Sequence, residues 1–149
     1  MSLTLESILE MWKKDSAIDE MALDDASRDQ AKLHGKYLEV LSITKLQLKR
    51  KEMEQQVLLR DKWMYFNGKM DKAEMDTRGW PYDPFNGLKI LRNDMEYFFN
   101  ADPELQKQEE RIVYLKTLVS TLEEIMGTLK WKHTVIKNII DWRRFTSGG

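Results

Sequence analysis

The chain has 149 residues, of which 33% are charged and 42% hydrophobic, with no cysteine and a formal net charge of −1. That composition fits one helix-rich domain with long solvated faces, and it excludes a disulfide framework and thiolate metal sites. No apolar run approaches membrane-spanning length, the start MSLTLESILEMWKK does not read as a signal peptide, and a cytoplasmic protein is expected.

The charge is unevenly distributed. Residues 1–30 carry eight acidic groups against three basic ones. Residues 45–72 carry eight basic against four acidic, and residues 130–149 five basic against Asp141 alone. Two basic blocks suit a polyanion, and an acidic head suits either a basic partner or a solvated face.

Residues 3–14 place Leu5, Ile8, Leu9 and Trp12 on one face of a short helix. Asp15 to Asp19 then break the pattern as a turn. A long helix is predicted over 24–66, with Leu23, Ala31, Tyr37, Leu38, Leu41, Leu48, Leu58, Leu59, Trp63 and Phe66 as its apolar positions. Between Thr44 and Gln56 that stripe thins into a solvated or inter-subunit face carrying Lys49 and Arg50. Asn67-Gly68 is a helix stop. Residues 67–87 contain Gly79, Pro81, Pro84 and Gly87 among Trp80, Tyr82 and Phe85, so an irregular loop is expected, its aromatics pinning it to the core in preference to the alternative of stacking on a ligand. A short helix over 88–99 carries Ile90, Leu91, Met95 and Phe98 inward.

The last helix, 103–145, has a clear start in Asp102 as N-cap and Pro103 at the first helical position. It carries sustained heptads: Leu105, Ile112, Val119, Met126, His133 and Ile140 on one line, and Gln108, Leu115, Leu122, Leu129, Ile136 and Arg143 on the next. A third line, Leu118, Ile125 and Ile139, widens the stripe beyond what one partner helix covers. Two partners fit this pattern equally, the chain's own helices or other copies in an oligomeric bundle or ring. His133 on the seam is expected to be packed or inter-subunit. The fold class is all-α, as a single helical domain over 1–149.

Enzymatic motifs are missing: there is no phosphate-binding glycine loop, flanked nucleophilic serine or paired-histidine helix. The two histidines, His34 and His133, have no second ligand at zinc-like spacing. No cofactor and no metal are implied. The informative cluster is Leu58–Lys69, where Arg60 and Lys62 precede Trp63, Tyr65 and Phe66, and Lys69 follows the helix stop. Cations for phosphates beside aromatic faces for bases are the ingredients of single-strand binding that ignores base sequence. On helical spacing Leu59, Trp63 and Phe66 share a face and are expected in the core. Arg60, Lys62 and Lys69 are the primary DNA-binding candidates, with Tyr65, Lys49 and Arg50 behind them.

Four segments together, Lys13-Lys14-Asp15 with Ile18-Asp19, Leu33–Tyr37, Leu59–Asp71 and Ile136–Phe145, resemble the UvsY recombination mediator family of T-even-like bacteriophages. The resemblance implies an all-helical protein assembling as a closed ring of about six or seven copies. It implies single-stranded-DNA binding, loading of a RecA-like recombinase onto strands covered by single-stranded-DNA-binding protein, and action in the host-cell cytoplasm. It also implies strand binding at the positions of Arg60 and Lys62, and oligomerisation through the C-terminal helix: Ile112, Leu115, Leu118, Val119, Leu122, Ile125, Met126, Leu129, Ile136, Ile139 and Ile140. Two features depart from the family pattern. Asp61 sits between the two cations where a small residue can stand, and the Trp80–Phe85 loop has no counterpart. The alternative reading is a non-enzymatic coiled-coil adaptor that never touches DNA.

Overall fold

The computed structural model describes residues 3–17 and 23–148, and among them every regular element is helical. The elements are α1 (Leu5–Asp15), α2 (Leu23–Phe66), α3 (Lys72–Arg78), a 3₁₀ turn (Arg92–Asp94), α4 (Met95–Ala101) and α5 (Pro103–Thr146). Ile18 and Asp19 of the expected turn, and the side chain of Leu23, lie outside the described residues. The chain divides into two compact units, Met1–Leu46 with Leu115–Gly149, and Gln47–Tyr114. α2 and α5 contribute residues to both.

In the first unit α1 starts with a capping box, the Thr4 hydroxyl accepting from the Ser7 amide and the Ser7 hydroxyl from the Thr4 amide. Its face buries Ile8 among Tyr37 and Leu41 of α2 and Leu118, Leu122, Ile125 and Leu129 of α5. Trp12 meets Tyr37 edge-on at 5.6 Å. Polar ties hold the end of α1. Asp15 accepts from Lys36 Nζ at 2.7 Å and from the Tyr37 hydroxyl at 2.8 Å. The buried Lys132 ammonium donates to the carbonyls of Asp15 and Ala17 at 2.8 and 3.2 Å, capping the helix C-terminus.

The single chain already covers much of the α5 seam expected to serve assembly. Ile112, Leu118, Leu122, Ile125, Leu129 and Ile136 are buried within the single chain, and Leu115, Val119, Met126, Ile139 and Ile140 are half-buried. A heptad period specifies that a helix covers the seam without specifying whose helix it is. His133, expected to be packed or inter-subunit, is exposed in the single chain. The large apolar groups that α5 leaves in solvent are Val113 and Tyr114 in its first half and Trp131, Val135, Trp142 and Phe145 towards its end.

In the second unit a buried group of Tyr65, Met75 and Trp80 gathers Leu58, Phe66 and Met70 around it. The segment expected as loop holds a helix. Asp71 accepts from the Glu74 amide at 2.8 Å to start α3, and Gly79, at φ 71°, ends it. The Trp80 amide then reaches back to the Met75 carbonyl at 2.9 Å, which returns the chain against α2. The proline-aromatic loop is pinned as expected through Trp80, 5.0 Å from Tyr65, and through Phe85, 5.6 Å from Phe66 and 4.8 Å from Phe98. Tyr82 stays in solvent. The helix expected from residue 88 begins later, because Asn86 and Gly87 both take positive φ and the chain runs without regular structure through 88–91.

Candidate nucleic-acid interface

The last turns of α2 decide which of the candidates reach solvent. At about 100° per residue, Lys49, Met53, Gln56, Arg60 and Trp63 fall within about 80° of one another. All five are exposed, and from Lys49 to Trp63 this face runs about 21 Å along the helix. Trp63 keeps 45% of its surface in solvent, and the Arg60 side chain 67%.

Lys69 joins this face through the helix stop. Gly68, at φ 68°, lets the Lys69 amide reach the Met64 carbonyl at 2.8 Å while its own amide meets Tyr65 at 3.2 Å. That paired bonding folds the chain back over the helix end. It sets Lys69 Nζ 4.7 Å from the centre of the Trp63 ring. An aromatic face in solvent, with one cation against it and another one turn before, is therefore present on a rigid element.

Lys62 and Tyr65 lie on the opposite side. Lys62, expected as a phosphate contact, is only 4% exposed. Its ammonium sits 3.0 Å from Asp102, 3.4 Å from Glu104 and 4.0 Å from the centre of the Trp80 ring. A charge removed from water survives only when paired in this way, and Lys62 has no donor to spare for a strand. The other oxygen of Asp102 caps α5, accepting from the Leu105 amide at 3.0 Å. Tyr65 is buried with its hydroxyl donating to the Pro81 carbonyl. Burial and the charges of Asp102 and Asp83 raise its phenol above the ordinary value, so it stays neutral. Neither residue is available for a base or a phosphate in this chain.

The sequence pattern puts Trp63 in the core and Tyr65 outside, and the structure reverses both. The inward line is half-buried Leu58 with buried Lys62 and Tyr65, at i, i+4 and i+7, rather than Leu59, Trp63, Phe66, of which only Phe66 is half-buried against the core. The two registers differ by one residue, about 100° of helix. The structure brings Arg60, Lys69 and Lys49 to the face of Trp63. Arg50 is exposed about 100° away from Lys49.

Asp61 is 5% exposed and accepts from two guanidiniums. Arg60 Nη2 lies 3.0 Å from one oxygen, and Arg78 Nη2, from the end of α3, 2.8 Å from the other. Burial pushes this carboxyl up, but the hydrogen bonds and charges of Arg60 and Arg78 outweigh it and hold it below the usual carboxylate range. Among the described residues no group of histidine and acidic side chains is placed to hold a metal ion.

A family model described as "Recombination, repair and ssDNA binding protein UvsY" matches residues 11–149. The recombination protein uvsY of Enterobacteria phage T4 is 26% identical over 144 residues, covering 97% of this chain and 98% of that protein. Two crystal structures of the bacteriophage T4 recombination mediator protein UvsY superpose with TM-scores of 0.84 and 0.80, at 23% and 24% identity. Each covers 97% of this chain, and 98% and 99% of the respective crystallised chain. At that identity the structural likeness speaks for the all-α fold.

Proposed function

The chain belongs to the UvsY family of recombination, repair and single-stranded-DNA-binding proteins, and from that premise we propose that it is a recombination mediator whose strand-binding face is the exposed side of α2. The observation that carries the reading is Trp63, half in solvent with Lys69 against its ring and Arg60 one turn earlier. Bases stack on the indole, and the two cations, with Lys49 further along the helix, take phosphates. No residue is assigned a catalytic step.

One such face holds few phosphates, so its affinity is modest. Identical faces in a ring of about six or seven copies act on one strand together, and avidity of this kind can exceed a single site by about 10²–10⁴. The stripe that suits such assembly is Trp131, Val135, Trp142 and Phe145, exposed and within about 80° on the α5 wheel. The buried heptad seam serves the fold. A strand held along the faces is presented, in the host-cell cytoplasm, to a RecA-like recombinase while the single-stranded-DNA-binding protein loses its grip.

Fluorescence anisotropy of a labelled oligonucleotide tests the reading. Binding that weakens steeply with salt, and falls on Arg60→Ala/Lys69→Ala, supports it. No binding at low salt would leave the DNA-free adaptor. Assembly is tested separately with Trp142→Ser/Phe145→Ser, which lowers the native mass while leaving the fold intact. Truncation before Thr128 is a poorer test, since it also removes Leu129, Lys132 and Ile136 from the interior.

A further inference from the structure

Arg78 is a cation that no sequence pattern selects, since it lies 18 residues beyond Arg60 in a segment with no DNA-binding signature. The fold brings the two together. α3 ends at Arg78, and the buried Asp61 carboxylate takes Arg60 on one oxygen at 3.0 Å and Arg78 on the other at 2.8 Å. The anion is interior, while both guanidiniums reach the surface, Arg60 widely and Arg78 with 31% of its side chain. Arg78 is further fixed by Glu74, which accepts from its Nε at 2.9 Å, and by the Trp80 ring, whose centre is 4.9 Å away. Nε and Nη2 are thus used, which leaves Nη1 for a further acceptor.

We propose that Asp61 sets Arg60 and Arg78 side by side as a two-guanidinium phosphate site, Arg78 being a second phosphate-binding cation of the α2 face. The inference rests on the reading of that face as the strand-binding surface, and it deepens it. Guanidinium forks match phosphate oxygens, and side chains already held in place lose little rotamer freedom when a strand arrives. Asp61 and Glu74 together balance the charge of the two arginines. A single site therefore attracts a strand weakly until phosphates replace part of the carboxylate contact, in keeping with a protein that relies on repeated sites. Asp61, the departure from the small residue of the family pattern, acquires a role as the tether of this pair.

The test is the slope of log affinity against log salt for a labelled deoxythymidine oligonucleotide, measured for wild type, Arg60→Gln, Arg78→Gln and Arg78→Lys. On a single strand, each phosphate that a variant no longer neutralises lowers the slope by about 0.7. Arg78→Gln is expected to lower it by about as much as Arg60→Gln, and Arg78→Lys to keep the wild-type slope because the charge remains. Weaker binding by Arg78→Gln with an unchanged slope would assign Arg78 to holding the loop alone and overturn the proposal. Slopes unchanged for both arginine-to-glutamine variants, or no binding by the wild type, would overturn the reading of the face and the proposal with it.

Discussion

Replacing Trp63 by alanine separates the exposed-platform account from a packing role. The ring is half in solvent, and the aromatic stacks of the second unit run through Tyr65, Phe66, Trp80, Phe85, Phe98 and Phe99 instead. Its removal sacrifices an exposed cation–π contact with Lys69, about 0.5–1 kcal/mol, and some surface packing. For a chain of this size each kcal/mol shifts the melting temperature by about 2–4 °C, so the expected fall is a few degrees. Stacking of one base is worth about 1–3 kcal/mol, and each 1.4 kcal/mol is about tenfold in affinity. Binding of a short deoxythymidine oligomer should therefore weaken by about 5- to 150-fold. The assay is anisotropy with two probes, that oligomer and an abasic backbone of the same length. The platform predicts that Trp63→Ala weakens the first and spares the second, since an abasic strand has nothing to stack. Equal losses on both probes, or no loss on either, would show that no base stacks on Trp63.

Three further outcomes follow from the interior. Lys62→Met leaves Asp102 buried without its cation and should cost about 3 kcal/mol or more in urea unfolding, while the salt slope of strand binding by the folded protein stays as in wild type; a reduced slope would return Lys62 to the DNA. Leu122→Ala, at a fully buried position, should cost about 2–5 kcal/mol at any protein concentration, whereas a concentration-dependent loss would mark Leu122 as an inter-subunit contact. Burial pushes the Asp15 carboxyl up, but hydrogen bonds from Lys36 and Tyr37 and the charges of Lys36 and Lys132 prevail and hold it below its usual value. The stability it contributes is thus present above the unfolded-state value of about 3.9 and is lost as pH falls from there through the folded value. Asp15→Asn should be less stable than wild type by about 1.5 kcal/mol near neutrality, with the gap closing below about pH 4; a gap independent of pH would remove Asp15 from the account.

Much of the fold is legible in the chain because its boundaries are written locally. Asn67-Gly68 stops α2, and Asp102-Pro103 starts α5, in the structure as in the pattern. The all-α class follows from periodicity alone. α3 escapes notice because it is only seven residues and mostly polar, although Asp71 and Gly79 stand at its two ends as start and stop signals. The site is less legible for a specific reason. Lys62 looks like a surface residue, which pushes the inferred inner face one residue along and exchanges Trp63 with Tyr65. The groups that make Lys62 tolerable inside, Trp80, Asp102 and Glu104, lie 18 to 42 residues away, and nothing local announces them. The α5 seam is ambiguous in a similar manner, since its period is indifferent to whether α1 and α2 of the same chain or another copy covers it.

In the proposed complex a single strand lies along α2 with a base on Trp63. Photo-crosslinking of an iodouracil-substituted oligonucleotide, followed by mass spectrometric mapping of the attached peptide, asks where the bases sit. Attachment is predicted at Trp63, and Trp63→Ala should abolish it. Attachment at Trp142 or Phe145 instead, persisting in that variant, would contradict the claim.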